Sequence, residues 1–264
     1  MKIKTTKNGL AYLNIGCGSI FSSDWNNIDF IKNKDVLFWD IRKGLPFPDK
    51  SMDAVYFSHL LEHLSPTEAT NLMSEVNRIL KTGGIVRIVV PDLRRVCGEY
   101  LRCLENVEKN PSAQNNMRYN WVMLELIDQM VREKAGGLLR ETIDSGDFDV
   151  EYAQSRIGDL ALSGKKHTFD NDPGIISLLK KIKRKLMSIR NKNDPRKTGE
   201  VHRWMYDSFS LSRLIKSHGF KDVTSTKFNE SMITDWDMYQ FDRSTIDPML
   251  PKKPESLFVE GRKI

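Results

Sequence analysis

The segment Leu13-Asn14-Ile15-Gly16-Cys17-Gly18 carries the clearest fold signal in this chain, together with Asp29, which stands eleven positions after Gly18. The apolar run that ends at Ile15 predicts a short strand, and the Gly-x-Gly turn after it lets the backbone approach a ligand closely. Asp29 ends a second apolar run, so its carboxylate is expected to face the turn across the edge of the sheet. The pattern predicts an open parallel sheet that binds a nucleoside, because an acid in this place accepts hydrogen bonds from ribose hydroxyls.

The spacing indicates which nucleoside is bound. A dinucleotide-binding fold has a third glycine and a full helix after the turn, and it places the acid about twenty residues on. Here the segment from Ser19 to Asn27 leaves room for about two helical turns at most, and the third glycine is missing. The ligand is therefore expected to carry ribose but no phosphate, which favours S-adenosylmethionine over NAD.

Three further motifs follow along the chain: Asp40, the run from Leu45 to Asp53, and Ser58-His59-Leu60-Leu61-Glu62-His63-Leu64. Together with the glycine turn and Asp29, they resemble the class I S-adenosylmethionine-dependent methyltransferases, and most closely the type-11-like group often found with polysaccharide biosynthesis. The resemblance covers residues 10 to 95 and resumes at 202 to 227 and 256 to 263. It implies an α/β fold, with a Rossmann-like seven-stranded sheet, helices on both faces and a helical insertion before the last strands.

The resemblance also implies that S-adenosylmethionine is the cofactor. The residues assigned to its site are Asn14, Gly16, Cys17, Gly18, Asp29, Asp40, Ile41 and Ser58. Asp29 is assigned to the ribose, and Asp40 resembles the family acid near the adenine amino group, with a cap or a solvated turn as its alternative. Ile41 is expected to flank the base or to belong to the core. Asn14 is a departure, because the family usually has an acid there.

Methyl transfer from a sulfonium needs alignment of the two substrates and a group that receives the acceptor's proton. His59, after the fourth strand, is a candidate general base because imidazole accepts a proton near neutral pH. His202 is a second candidate, with a hinge histidine bonded to the backbone as the alternative. Asp92 is expected either to orient an acceptor hydroxyl or to cap the next helix.

The spacing of His59 and His63, with Glu62 beside them, also occurs in metal sites. No further ligands cluster there in the sequence, so no metal is predicted, and His63 is expected to cap or pack the following helix. The three cysteines, Cys17, Cys97 and Cys103, have neither zinc-site spacing nor an even disulfide framework. Cys17 is expected to be a small residue packed in the turn.

Strands are predicted at 10–15, 26–30, 35–39, 53–57 and 84–90. A helix is predicted to begin at Ser65-Pro66, where Ser65 and Glu68 form a capping box, and to end at Gly83-Gly84. Helical spacing continues from 93 to 135, divided at Asn110-Pro111-Ser112, whereas residues 136 to 176 show no clear period. A helix capped by Asp207 or Ser208 and strands at 222–227 and 256–261 complete the sheet.

Three regions follow from these elements: 1–93 as the cofactor-binding half, 94–200 as a mainly helical insertion or lid, and 201–264 as the completion of the sheet. With 39% hydrophobic residues in 264, the chain can bury one full core with an embellishment. No stretch approaches eighteen uninterrupted apolar residues, and the N-terminus lacks the apolar core of a signal peptide. The expected location is cytoplasmic.

The net charge of +6 is concentrated between Lys180 and Lys197, where nine basic residues face one acid, Asp194. Apolar residues recur at roughly helical spacing from Ile175 onward, which favours an amphipathic helix. A solvated helix face is one interpretation. The other interpretation is contact with an acidic glycan or with an anionic membrane. Membrane contact would place the protein at the inner membrane surface. The near-neutral remainder does not indicate a nucleic-acid partner.

The predicted function is methylation of a hydroxyl on a sugar, a glycan or another small acceptor, and the glycan is implied by the resemblance alone. A methyltransferase for a carboxylate or an amine in a small metabolite is one alternative, because it needs no strong base. A non-catalytic protein that binds S-adenosylmethionine is the other, and Asn14 with the short first crossover is its main support.

Overall fold

The computed structural model describes residues 3–30, 34–162, 195 and 199–264. The chain divides into two compact units, Met1–Arg95 with Arg203–Ile264, and Val96–His202. The predicted amphipathic helix of residues 175–197 lies outside the described residues, apart from Pro195.

The first unit is built on a seven-stranded sheet in the order β3-β2-β1-β4-β5-β7-β6. Its strands are β1 Tyr12–Ile15, β2 Asn26–Asp29, β3 Leu37–Phe38, β4 Met52–Ser58, β5 Leu80–Pro91, β6 Phe220–Ser225 and β7 Ser256–Lys263. The first five are parallel, and β7 runs antiparallel to β5 and β6. The strand order reverses between β1 and β4, which is where ligands bind in open α/β sheets.

Helix α1 spans Pro66–Ile79 and begins with the predicted capping box of Ser65 and Glu68. The predicted end at Gly83-Gly84 is wrong, because the backbone becomes extended at Leu80 and β5 begins there. Met52 pairs with Leu80 and Ala54 pairs with Ile85, so a bulge separates the two pairings. Gly83, at φ 82°, permits this bulge instead of ending the helix.

The two faces of the sheet are covered differently. One face packs against α1 and α7, the helix Ser208–Lys216 capped by Asp207. The other face carries aromatic residues that surround the fully buried Trp25 and pack beneath α8, Trp236–Tyr239. Alternation along the strands produces this division, so that Leu13 faces the helices while Tyr12 faces the aromatic cluster. The predicted α/β sheet with helices on both faces is thus confirmed.

The second unit is helical in its described part. Its elements are most of α2 Leu93–Lys109, α3 Ala113–Met123, a π-helical segment Leu124–Asp128, α4 Gln129–Val131, α5 Gly137–Ser145 and α6 Val150–Ile157. The predicted break at Asn110-Pro111-Ser112 is confirmed, since Ser112 caps α3. Helices α5 and α6 occupy a region predicted to lack a clear period, because they are short and begin from local signals such as the Asp149 cap. Among the described residues, no helix has the length and apolarity needed to span a membrane.

Candidate active site

A cavity of about 230 Å³ opens at the carboxyl edge of the sheet in the first unit. Its walls come from the turn after β1, the ends of β4 and β5, the start of β7 and the segment before β7. The lining residues are Asn14, Gly16, Cys17, Gly18, Ser19, Ile20, Tyr56, Ser58, His59, Val89, Phe241, Asp242, Lys252, Lys253, Ser256 and Phe258. The structure therefore brings six of the predicted site residues together, namely Asn14, Gly16, Cys17, Gly18, Ser58 and His59.

The glycine turn is fastened to β2. Gly16 donates its N–H to the Ile28 carbonyl at 2.8 Å, and Asp29 Oδ2 accepts the N–H of Gly18 at 2.8 Å. Both glycines have positive φ, 65° and 54°, which side chains rarely adopt. A Cβ on Gly16 would lie 2.9 Å from Leu60 Cδ1, whereas one on Gly18 would point into open space. Gly18 therefore keeps the backbone accessible to a ligand.

Cys17, in the turn, and Asn14, two residues before it, have packing roles. Burial raises the pKa of the Cys17 thiol to about 12, so this cysteine stays uncharged, in agreement with its expected place packed in the turn. The Asn14 side chain is buried and donates to the Ile20 carbonyl at 3.1 Å. An amide makes this bond where a carboxylate could not, so Asn14 orders the backbone after the turn.

The ends of β2 and β3 offer further groups. Phe30 follows Asp29 in the chain, and Phe38 pairs with Asp29 across β2 and β3. Both rings are exposed, and their centroids lie 6.1 Å apart. Asp40 caps the 3₁₀ turn Ile41–Lys43, and its carboxylate accepts hydrogen bonds from Arg42, which lowers the pKa of that carboxyl. Ile41 is half-buried against the core. The cofactor contacts of Asp40 and Ile41 stay predictions.

His59 is held in an uncommon conformation. Its backbone has φ 50°, in the left-handed region, and its N–H donates to the Val89 carbonyl at 2.8 Å. A side chain in this region costs about 1–3 kcal/mol, which the surrounding structure must offset, and such residues cluster at functional sites. The ring lies between two groups: Nδ1 is 3.2 Å from Glu62 Oε1, and Nε2 is 2.9 Å from Ser256 Oγ.

The carboxylate on one side of the imidazole and the hydroxyl on the other orient the ring and determine which ring nitrogen carries the proton. Glu62 is fully buried on the 3₁₀ turn Leu61–His63, so its carboxylate favours a proton on Nδ1. Nε2 is then the acceptor and faces Ser256 at the start of β7. His63 Nε2 is 4.0 Å from the same Glu62 oxygen.

Burial, with a further contribution from the charge of Lys253, lowers the pKa of His59 to about 4. Glu62 opposes this shift and does not overcome it. The imidazole is therefore neutral at pH 7, which is the form that accepts a proton.

Folding stability is expected to fall as the pH drops from about 6.5 to 4. In that window the unfolded chain protonates His59 at its ordinary pKa of 6.5, whereas the folded protein resists protonation until about 4. The loss amounts to roughly 3 kcal/mol for this one group. Urea unfolding at several pH values measures it. His59→Asn should lose less stability over the same window, and equal losses in both proteins would contradict the buried neutral imidazole.

The floor of the cavity is held by an ion network. Arg87 is fully buried in β5 and donates to Asp242 from Nε at 3.0 Å and Nη2 at 2.9 Å. Arg87 Nη1 donates to Glu260 at 2.8 Å, and the Tyr56 hydroxyl donates to Asp242 at 2.7 Å. Arg87 also lies over the Trp236 ring, 4.5 Å from its centroid. The network fixes residues 226–242 against the sheet and places Asp242 at the cavity.

The other two catalytic candidates, Asp92 and His202, are not among the residues that line the cavity. Asp92 caps α2 by accepting the N–H of Arg94 at 3.0 Å, which fits its capping alternative. His202 ends the second unit, where it is buried and its N–H donates to the Gln129 carbonyl at 2.9 Å. Their catalytic roles stay predictions.

Several residues of the site were not predicted from the sequence. Ser256, Tyr56, Asp242, Lys252 and Lys253 line the cavity without having been assigned to it, and Glu62 had no role beyond its spacing. Ser256 begins a strand that runs antiparallel to β5 and therefore lies beside the carboxyl end of β5, an arrangement that the sequence pattern does not show.

Replacing Asp29 with Ala is expected to weaken S-adenosylhomocysteine binding about ten- to hundred-fold. A carboxylate that accepts hydrogen bonds from ribose contributes about 1.5–3 kcal/mol. Asp29→Asn can still accept the Gly18 N–H, so the two variants separate the loop contact from the charge. Isothermal titration calorimetry measures both affinities. Wild-type affinity in Asp29→Ala would show that the ribose site is elsewhere.

The residues present fit a nucleoside cofactor. The accessible backbone at Gly18, the Asp29 carboxylate beside it and the exposed rings of Phe30 and Phe38 lie at one edge of the sheet, where a backbone group, an acid and flat rings are available to a ligand. Their chemistry matches a ligand with a hydroxylated sugar and a flat base.

Comparisons with family models, curated proteins and solved structures identify what the chain is similar to. Residues 24–88 match a family model described as a methyltransferase domain. No curated protein matches the chain. A solved S-adenosylmethionine-dependent methyltransferase from Archaeoglobus fulgidus is similar at 14% identity and a TM-score of 0.40, covering 96% of this chain and 86% of that one. A possible histamine N-methyltransferase from Thermotoga maritima is similar at 13% identity and a TM-score of 0.37, covering 96% and 82%.

The matched segment leaves out β1 and runs from just before β2 into β5, so it includes β2, β3, β4 and most of β5. With the strand order and the glycine turn, it confirms three predictions made from the sequence. The fold is a Rossmann-like methyltransferase fold, the protein is an S-adenosylmethionine-dependent methyltransferase, and S-adenosylmethionine is its cofactor.

Proposed function

We propose that this enzyme methylates a hydroxyl group of a sugar, a glycan or another small hydroxylated acceptor. The observation that carries the proposal is the order Glu62, His59, Ser256, in which His59 and Ser256 line the same cavity as the glycine turn and Glu62 lies buried behind the ring. Transfer to a carboxylate needs no base, because the acceptor is already ionised. A neutral imidazole whose unprotonated nitrogen, Nε2, lies beside Ser256 in the cavity wall serves an acceptor that must lose a proton.

Each residue then has a step in the reaction. S-adenosylmethionine supplies a methyl group on a positively charged sulfur, whose thioether leaves readily. The glycine turn and Asp29 hold the cofactor's sugar end beside the cavity. His59 Nε2 receives the proton of the acceptor hydroxyl, either directly or through the Ser256 hydroxyl 2.9 Å away. Glu62 stabilises the positive charge that forms on the ring.

A role in cell-surface polysaccharide biosynthesis is the finer part of the proposal, and the resemblance described above supports it. The test follows release of S-adenosylhomocysteine with a panel of monosaccharides, nucleotide sugars and oligosaccharides, beside carboxylate and amine metabolites. Turnover with hydroxylated sugars is expected. Turnover confined to the carboxylates or amines would overturn the proposal, and cofactor binding without turnover on any acceptor would favour a non-catalytic protein.

We also propose that residues 175–197 contact an anionic membrane surface. The support is the sequence pattern of nine basic residues over recurring apolar ones. Sedimentation with phosphatidylserine vesicles at low salt tests it, with the quadruple change of Lys180, Lys181, Lys183 and Lys185 to Glu as the comparison. Wild-type protein that stays in the supernatant would overturn the proposed membrane contact.

A further inference from the structure

The cavity carries two adjacent lysines that the mechanism does not use. Lys252 and Lys253 lie in the segment just before β7, and both line the cavity. Their backbone is fixed, because Lys252 donates its N–H to the Asp242 carbonyl at 2.8 Å and the Lys253 carbonyl accepts the N–H of Ser256 at 3.1 Å. The second bond places Lys253 one short turn from Ser256, the residue that faces His59.

The charges that line the cavity do not balance. Asp242 is the one acid among its described lining residues, and its carboxylate is occupied by Arg87 and by the Tyr56 hydroxyl. Arg87 is buried in the sheet and does not line the cavity. Apart from this paired acid, the described lining residues therefore include two cations and no anion, and the positive charge of Lys253 acts on the His59 ring.

On the basis of the proposed function, we propose that the acceptor is an acid: a hydroxylated compound whose carboxylate or phosphate group binds Lys253, with Lys252 beside it, while its hydroxyl lies at His59. Lysine ammonium groups bind such anions through charge-assisted hydrogen bonds. The same charge repels protonated amines. An acidic sugar or a sugar phosphate fits this cavity better than a neutral sugar of the same size.

Binding of an anion at Lys253 also affects how readily His59 accepts a proton. The charge of Lys253 disfavours the imidazolium of His59, and an anion on Lys253 offsets that charge. An acidic acceptor would thus strengthen the base that removes its own proton, and a neutral acceptor would not. The cavity would then select acidic acceptors in catalysis as well as in binding.

The carboxylate of the cofactor's amino-acid end has the same chemistry as an acidic acceptor, so the test must separate the two. The probe is inorganic phosphate, added to ¹⁵N-labelled protein with and without saturating S-adenosylhomocysteine and followed by NMR chemical shifts. Wild type is expected to bind phosphate in both cases, with shifts at His59 and Ser256. Lys253→Met should weaken phosphate binding at least ten-fold, and Lys253→Arg should restore most of it.

Lys221→Met is the matched control, because Lys221 is exposed on β6 and pairs with Arg262, at the far end of β7 from Ser256. It should bind phosphate like wild type. Equal phosphate affinity in wild type and Lys253→Met would overturn the proposal. A ten-fold loss of S-adenosylhomocysteine affinity in Lys253→Met, with phosphate binding abolished by bound S-adenosylhomocysteine, would assign the lysine to the cofactor and also overturn it.

A second arm compares D-glucuronate with D-glucose as acceptors. The ratio of their kcat/KM values should favour the acid in wild type and fall at least ten-fold in Lys253→Met. Faster turnover of the neutral sugar in wild type would refute the acidic acceptor while leaving O-methylation intact. If neither sugar turns over, the proposed function is in question, and the phosphate titration still decides the anion site.

Discussion

His59→Asn is expected to lower kcat for methyl transfer by about 10²–10⁴-fold, the usual contribution of a general base. Asn is the informative replacement because it tolerates the left-handed backbone found at φ 50° and cannot accept a proton at neutral pH. The affinity for S-adenosylhomocysteine should change little. The measurement is the steady-state rate of S-adenosylhomocysteine release at saturating acceptor, with the binding constant determined separately.

Two further variants give a graded comparison. Glu62→Gln and Ser256→Ala should lower kcat by less than His59→Asn, because each acts through the ring and leaves its basic nitrogen in place. His202→Ala tests the other histidine predicted from the sequence. Full turnover in both His59→Asn and His202→Ala would mean that catalysis occurs by positioning alone or that the base is another group.

Arg87→Met is expected to destabilise the protein by about 3–5 kcal/mol, the usual cost of removing one partner from a buried ion pair. Arg87, Asp242 and Glu260 are all less than 5% exposed, so the change leaves two carboxylates buried without their cation. Urea unfolding of the purified protein measures the loss. Binding of S-adenosylhomocysteine should weaken as well, because the network fixes the segment that carries Asp242.

The matched control is Arg262→Met. Arg262 lies on the neighbouring strand β7, where its side chain is 38% exposed and 3.6 Å from Asp222. A pair of this kind contributes about 0–1 kcal/mol, so the control should remain close to wild type. Similar stability losses in the two variants would contradict the role assigned to the buried network.

The sequence predicted the parts of the site that depend on local signals. Three features depend on residues that are close together in the sequence: the glycine turn, the acid that ends β2 and the capping box of α1. Each is found as expected. The end of α1 was misplaced because Gly83-Gly84 suits a helix terminus and a strand bulge equally well. Only the pairing of Met52 with Leu80 decides between them.

The rest of the site depends on contacts between distant residues. Arg87 interrupts an apolar strand, which indicates a buried charge, but its partners Asp242 and Glu260 stand 155 and 173 residues later. Ser256 and Lys253 reach the cavity because β7 is antiparallel and its amino end lies at the carboxyl edge of β5. Sequence periodicity carries no information about either arrangement.

We expect the edge of the sheet around Gly18 and Asp29 to bind S-adenosylmethionine, and isothermal titration calorimetry of wild-type protein with S-adenosylhomocysteine and with NAD measures this binding. S-adenosylhomocysteine should bind at one site per chain, and NAD should give no measurable heat. Binding of NAD without binding of S-adenosylhomocysteine would contradict this expectation.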